Sequence, residues 1–492
     1  MNTAPTHLTL PQALERAVSS LQSGNLAEAE RICNLILRAD PAQVDALHLS
    51  GVVLQRQGAA EAALERFTRA CELDPAFADA LYNRAVALGD LERWDEALAA
   101  YDQVLRRDAG LGRAWNNRGN VLQKLERWEE ALASYDRALR LRPDHPDALY
   151  NRALVLLTLA RPREALESCA RATALAPQLA EAQWTQSIVH LLLGEYEEGW
   201  RLHEWRWKSE QMAHLARDFS EPLWLGEASL AEKTILLHAD QGFGDAIQMA
   251  RYAPLVAANA AGVILEVHPS LARLMTSLSP AIQVVARGSP LPPFDLHCPL
   301  GSLPLAFRTT LRTIPAPGQY LRAASAEVAE WSARLGAATR PRIGIAWSGN
   351  PKNKRDLERS IAFERVRPLL DGRFEFHCLQ AEFRPGEEAL ARAAGVHFWG
   401  ADLRDFGDTA ALIAALDLVV TVDTSAAHLA GALGKNVWIL VPHMPDYRWL
   451  LDRDDTPWYA SARLFRQPTR GDWEAVISKV GDALSAVSSA PR

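Results

Sequence analysis

A 34-residue interval in the first part of the chain constrains the fold more than any other feature. Pro41, Pro75, Pro143 and Pro177 lie on one 34-residue grid, with Ala109 at the missing step. Ala29, Ala63, Ala97, Ala131 and Ala165 fall on the same grid, as do the larger Cys33, Phe67, Tyr101, Tyr135 and Cys169. Each unit reads as two amphipathic helices joined by a turn, with a proline after the second. The small alanine lets the two helices approach, and the larger residue four positions on packs into the neighbour. One such unit cannot bury its apolar face alone, so the units must stack, and an all-α superhelix with a concave face results.

The segments ALYNRAVALGDLERWDEALAAYDQVL and AWNNRGNVLQKLERWEEALASYDRAL resemble the tetratricopeptide repeat family. Five full repeats are expected between about residues 10 and 179. A sixth, divergent unit, AEAQWTQSIVHLLLGEYEEGWRLHEWRWK, reads as a cap that carries the array to residue 207, and residues 1–9 as an N-terminal tail. Asn83, Asn117 and Asn151 share one repeat position on the first helix of their units. In that family the position faces the concave groove, where an amide offers a donor and an acceptor to a peptide backbone. The alternative is that these asparagines are simply solvated.

Composition narrows the remaining classes. The chain has 492 residues, 48% hydrophobic and 23% charged, which is ordinary for soluble globular protein in two to four domains. A net charge of −7, with neither half basic, argues against nucleic acid as the main partner. No apolar run approaches a transmembrane span, and the N-terminus has neither the basic nor the apolar region of a secretory signal. Cys33, Cys71, Cys169, Cys298 and Cys378 are scattered, which fits a reducing cytoplasm rather than a zinc site or a disulfide framework.

The period breaks at residues 208–232, a connector. Beyond it, short apolar runs alternate with helical patterns. TILLHAD (234–240), VILEVHP (263–269), IQVVARG (282–288) and FDLHCPL (294–300) read as strands. A Pro-rich link follows, and then a second series: RIGIAWSG (342–349), FEFHCLQ (374–380), VHFWG (396–400), LDLVVTVD (416–423) and NVWILVP (436–442). Strands alternating with helices predict parallel sheets covered on both faces, here two Rossmann-like subdomains at residues 233–325 and 326–483, then a frayed tail at 484–492. Ligands of such sheets sit beyond the carboxyl ends of the strands.

Three loops there carry candidate chemistry. In HADQGFGDAIQM, Gly242 and Gly244 permit a tight turn and close approach of a ligand. Asp245 reads either as a helix cap or as a base facing an acceptor hydroxyl. The loop WSGNPKNKRDLERSI gathers Lys352, Lys354, Arg355 and Arg359, a phosphate-binding set or a solvated surface. In LDLVVTVDTSAAHLAGALG, a buried strand ends at Asp423, and Thr424 and Ser425 open a helix. Its free N–H groups make a ready anion site. His428 in that helix is a donor to a diphosphate or a histidine satisfied inside the fold. Trp449, Trp458 and Tyr459 read as core or as a platform for a nucleobase. Asp452-Arg453-Asp454 imitates a metal-binding DxD but sits in a charged loop.

The order strand–GFGD–helix, strand–WSGNP–basic loop, strand–VDTSAAH–helix is similar to glycosyltransferase family 9, the heptosyltransferase-like group, over roughly residues 231–480. The resemblance implies a GT-B fold and a nucleotide-sugar donor held by the C-terminal subdomain. It implies no metal and no cofactor beyond the donor itself. Asp245 matches the acid of the family's Gly-Asp loop, proposed there as the base. Asp423, Thr424 and His428 match the donor-contacting set, whereas Ser425 stands where the heptosyltransferases usually have glycine. Asn350, Lys354 and Arg359 lie in the loop where that family places phosphate-binding side chains. The tandem of repeats and GT-B unit also resembles the protein O-N-acetylglucosamine transferases, whose repeats present a protein acceptor. The expectation is therefore an inverting, metal-independent, cytoplasmic glycosyltransferase with a protein acceptor or partner in the repeat groove. Transfer to a lipid-linked or surface glycan, or a scaffold whose transferase half no longer turns over, are the alternatives.

Overall fold

The computed structural model describes residues 8–351 and 356–488. Residues 1–7 of the expected N-terminal tail and 489–492 at the C-terminus lie outside the described residues. The chain divides into two compact units, Met1–Leu179 and Ala180–Arg492.

The first unit is a row of five helical hairpins, from Leu10–Gln22 with Leu26–Ala39 to Pro146–Thr158 with Pro162–Leu175. All five grid alanines, Ala29 to Ala165, are fully buried, and so are Phe67 and Tyr135. Burying each such aromatic side chain contributes about 1.5–3 kcal/mol. The small residue facing it is obligatory: a Cβ at Gly51 would lie 2.5 Å from the Phe67 ring, and one at Gly119 2.6 Å from Tyr135. Each hairpin turns through a left-handed residue on the same grid. Gly24 and Gly58 fill it without strain, but Glu92, Glu126 and Ala160 hold φ of 57°, 56° and 54° there. A further in-phase pattern ties hairpin to hairpin. Arg118 Nε donates to Asp102 (2.7 Å) and Nη1 to Ser134 (2.7 Å); Arg152 repeats this with Asp136 (2.7 Å) and Ser168 (2.6 Å).

The second unit opens with a helical hairpin, Ala180–Leu192 and Tyr196–His203, and continues into two parallel sheets. The first sheet holds β1 (Thr234–His238), β2 (Gly262–Val267), β3 (Ile282–Ala286) and β4 (Leu296–Pro299) in the order β3-β2-β1-β4. Ile235 pairs with Val263 on one side and Leu296 on the other. The second sheet holds β5 (Arg342–Ala346), β6 (Glu375–Cys378), β7 (Leu418–Val422), β8 (Val437–Val441) and β9 (Ala462–Arg466) in the order β6-β5-β7-β8-β9. Every residue of β5, β7 and β8 is buried, because helices cover both faces of a parallel sheet. The architecture is α/β.

Three sequence expectations change. VHFWG is not a strand: His397 makes one isolated bridge to His377, and a 3-10 turn follows at Gly400–Asp402. The ARLFR run, absent from the strands expected from the sequence, is the edge strand β9. The expected tail from residue 484 is the end of a helix, Trp473–Ser488, whose Leu484 is buried. No helix among the described residues is long and apolar enough to cross a membrane.

Candidate functional site

The carboxyl ends of the two sheets face a common set of side chains. After β1 the chain turns at Gly242 into the helix Phe243–Met249. Asp245 folds back and accepts the Gly242 N–H at 3.1 Å, so the capping arrangement is present. After β7 the chain turns at Asp423-Thr424 into the helix Ser425–Ala432. Thr424 takes the cap position without a side-chain cap bond; its hydroxyl lies 3.2 Å from that of Thr421. The two helices pack so closely that a Cβ at Gly244 would stand 2.7 Å from His428 Cδ2. The glycine loop and the Asp-Thr-Ser-Ala-Ala-His segment thus meet, and Gly244 is the residue that lets them.

Arg448, from the segment after β8, closes the arrangement. Its guanidinium bonds Asp245, the Gln248 side-chain oxygen and Asp446, the last at 2.8 Å. Burial raises the Asp245 carboxyl above its usual range, with Arg448 working against that shift. The side chain still keeps 29% of its surface open, so a ligand hydroxyl can reach it.

His428 is buried. Its Nδ1 lies 2.9 Å from the Tyr459 hydroxyl, its Nε2 lies 3.8 Å from Asp423 Oδ1, and its ring stacks on Trp449 at 5.5 Å and 21°. Burial, then the charges of Arg448, Arg251 and Arg359, push its pKa well below the ordinary value, which favours the neutral ring. Asp423 is raised by burial and by Asp446, while Trp449, Arg448 and Arg359 oppose.

Arg359 reaches the same place: its Nη1 donates to the Asp423 carbonyl at 2.9 Å. It is held from behind by Asp356, a buried carboxylate 3.5 Å from Nε that also accepts from Ser360 (2.9 Å) and Arg384 (3.1 Å). Asn350 is exposed at the head of the loop. Lys352, Lys354 and Arg355 lie outside the described residues. Trp449, Trp458 and Tyr459 are almost fully buried and pack as core. Among the described residues, no group of three or more His, Cys, Asp or Glu side chains is gathered as a metal site.

Sequence reasoning missed the second layer. Arg448 and Asp446 stand in an aromatic run with no spacing motif to mark them. The hairpin that opens this unit also belongs to the site's support. Tyr196 accepts the Trp458 indole N–H at 3.0 Å, and Trp200 meets Tyr447 edge-on at 5.5 Å. Arg206, with no exposed surface, donates to Ser302 (2.7 Å), Glu204 (2.6 Å) and Asp240 (3.2 Å), two residues before the glycine turn.

In the first unit Asn83, Asn117 and Asn151, expected to face a groove, form links between hairpins. Asn83 bonds His48 (2.8 Å), Asn117 donates to Tyr82 (2.9 Å) and Asn151 to Asn120 (3.0 Å). Their amide donors are thus engaged by the preceding hairpin, while all three side chains stay partly exposed.

The family-model matches fall within the first unit. The family described as Tetratricopeptide repeat matches residues 110–178, and the one described as Anaphase-promoting complex, cyclosome, subunit 3 matches residues 22–104. Protein FlbA of Caulobacter vibrioides is 29% identical over 320 residues, covering 59% of this chain and 53% of FlbA; the chain thus spans about half the length of this curated relative. Among solved structures, Pseudomonas aeruginosa pilF has a TM-score of 0.37 at 20% identity, covering 40% of this chain and 89% of its own. YrrB, a TPR protein with an unusual peptide-binding site, has a TM-score of 0.32 at 21% identity, covering 35% of this chain and 88% of its own. From the family matches and the in-phase hairpins, the N-terminal region is a tetratricopeptide repeat array, and it is followed by an α/β region of two parallel sheets.

Proposed function

We propose that the second unit is a GT-B glycosyltransferase domain using a nucleotide-sugar donor. One observation carries the reading: the carboxylate of the glycine loop and the Asp423–His428 helix start, from two different parallel sheets, converge at the strand ends where ligands of such sheets bind. In this reading the donor diphosphate lies at the Ser425 helix start, where N–H groups point outward, with Arg359 and His428 beside it. An acceptor oxygen attacks the anomeric carbon, the bond to the diphosphate breaks, and the nucleoside diphosphate leaves with that electron pair. The acceptor proton passes to Asp245. A carboxyl raised by burial is a better base than an exposed one, and Arg448 steadies it. A direct displacement inverts the anomeric centre. The repeat array recruits a protein acceptor or partner, with the asparagine links holding a fixed row of amides in its groove.

The test is a thermal-shift titration with UDP, GDP, ADP, CMP and their sugar conjugates on wild type, His428→Ala and Asp245→Asn. Ligand binding to the folded state raises the melting temperature by mass action. The reading expects one nucleotide family to shift the wild type and not His428→Ala. Asp245→Asn keeps donor binding and loses transfer. Full turnover in Asp245→Asn would remove Asp245 as the base. A second reading, a scaffold that binds without turnover, draws on the engagement of Arg448 by Asp245 and Asp446 and on Ser425. Donor binding with neither hydrolysis nor transfer across peptide and glycan acceptors would select it.

A further inference from the structure

We propose that Tyr459 is a positioning residue that holds His428 as the tautomer carrying its proton on Nε2, so that the ring presents a donor beside Asp423 at the helix start. Which ligand atom that donor serves rests on the nucleotide-sugar reading; the tautomer does not.

Two contacts decide the proton's place. On one side of the ring, Nε2 faces Asp423 Oδ1 at 3.8 Å. A lone pair on Nε2 would oppose a carboxylate oxygen, whereas an N–H is attracted to it. On the other side, Nδ1 lies 2.9 Å from the Tyr459 hydroxyl. With the proton on Nε2, Nδ1 is a pure acceptor, and the phenol O–H is the donor it needs. Burial, then the neighbouring Tyr320 hydroxyl, hold that phenol's pKa well above the ordinary value against Arg251 and Arg448, so its proton stays in place; Tyr320 gives its own proton to the Ile247 carbonyl and accepts from Arg251. Hydrogen bonding at one ring nitrogen selects what the other carries.

The packing is built around this pair. A Cβ at Gly431 would fall 2.4 Å from Tyr459 Cδ1, and one at Gly244 2.7 Å from His428 Cδ2. Both rings therefore occupy space that only glycine leaves open. Trp449 stacks on the imidazole, and the Arg251 guanidinium lies 4.7 Å from the centre of the Tyr459 ring, so neither ring can turn away. Trp458, the residue before Tyr459, is tied to Tyr196, which fixes the segment from outside.

The experiment uses the full chain labelled with 15N only in histidine rings. Magic-angle-spinning spectra, differenced against His428→Ala, isolate this ring. The expected spectrum shows an unprotonated Nδ1 and a protonated Nε2, and Tyr459→Phe moves the Nδ1 signal and populates the other tautomer. A protonated Nδ1 in the wild type would overturn the proposal, as would a Tyr459→Phe spectrum identical to the wild type. The same variant, with its fold checked by a circular-dichroism melt, is titrated with UDP, GDP and ADP. Losing one hydrogen bond to the ring is expected to weaken the nucleotide that binds by about fivefold, and unchanged affinity would overturn the positioning role. If no nucleotide binds the wild type, the functional reading fails on its own, and the ring spectrum still decides the tautomer.

Discussion

Replacing Gly244 by alanine should destabilise the second unit, and the size of the effect follows from one contact. The new Cβ would sit 2.7 Å from His428 Cδ2 and 3.4 Å from Nε2. Ordinary contact begins near 3.4 Å, so the ring must retreat by about 0.7 Å. It cannot do so freely, because Trp449 stacks on it and Tyr459 bonds Nδ1. Overpacking of this kind costs about 1–3 kcal/mol, and a weakened Tyr459 bond adds about 1 kcal/mol. Alanine's better helix propensity returns up to about 1 kcal/mol. The net loss is about 2 kcal/mol, a fall of roughly 3 °C in melting temperature for a unit of this size. Calorimetry of the full chain reads it, with Gly481→Ala as the control. That glycine also lies inside a helix, but its Cβ would meet only Leu369 Cδ2 at 3.7 Å, so the melt should hold or rise. The decisive comparison is a double-mutant cycle. In a His428→Ala background the clash is gone, and Gly244→Ala should become neutral or stabilising. An equal cost in both backgrounds would refute the packing of the glycine loop on His428.

Three further outcomes are expected. Ala160→Gly should stabilise its hairpin, because a non-glycine left-handed residue costs about 1–2 kcal/mol and the added chain entropy of glycine offsets about 0.4–1 kcal/mol; hydrogen exchange across residues 146–175 should slow two- to fivefold, roughly the effect of 0.5–1 kcal/mol, and faster exchange would contradict the strain. His377 is fully buried with neither ring nitrogen hydrogen-bonded, and burial lowers its pKa to about 4. The folded ring therefore binds protons more weakly than the unfolded one, and its stabilisation is present above about pH 6.5 and is lost as pH falls toward 4, at up to about 1.4 kcal/mol per pH unit. His377→Phe, which preserves the stacking on His397 and Trp399, should reduce the loss of stability between pH 7.5 and 5 by about 2 kcal/mol, and unfolding midpoints at the two pH values check it. Arg206→Leu strands the buried Asp240 carboxylate and should cost about 3–5 kcal/mol, partly recovered by adding Asp240→Asn; no recovery would mean that the guanidinium acts through Glu204 and Ser302 instead.

What the sequence made legible follows from what it repeats. In the array, one packing solution recurs, so Ala97 and Tyr101 announce their neighbours by spacing alone. The parallel strands were legible because burial on both faces writes them as apolar runs, as in LVVTV and VWILV. Edges were harder. VHFWG has strand-like residues, yet it lies along β6 through a single bridge, and β9 hides because Arg463 and Arg466 interrupt its apolar pattern at the sheet margin. The site divides in the same way. Asp245, Asp423 and His428 stand at strand ends, where position is itself a signal. Arg448 meets Asp245 across 203 residues of sequence, and nothing local to Tyr447-Arg448-Trp449 says so. Nor does spacing show that Gly244 and Gly431 are glycines because two rings need the room.

The sixth hairpin shows what a repeat period does and does not encode. It keeps the grid: Gly194 supplies the left-handed turn at φ 81°, Gly199 stands at the alanine position and His203 at the large one. A Cβ at Gly199 would lie 2.6 Å from Leu191 Cδ2, so the two helices close on each other as in the five hairpins before. The sequence therefore assigns it to the array, up to residue 207. Yet residues from Ala180 onward belong to the compact unit of the sheets. The difference lies in the residues that point away from the hairpin's own seam. Tyr196 and Trp200 are buried against Trp458 and Tyr447, and Arg206 reaches Asp240 at the end of β1. Periodic positions encode how a hairpin closes, whereas the outward positions encode what it stacks on. In this chain the outward positions of the last hairpin are aromatic and charged, and they hold the segments that carry Arg448, Tyr459 and the glycine loop. A version of the second unit that began at the apparent end of the repeats would lose those supports while keeping every residue that its sequence motifs single out.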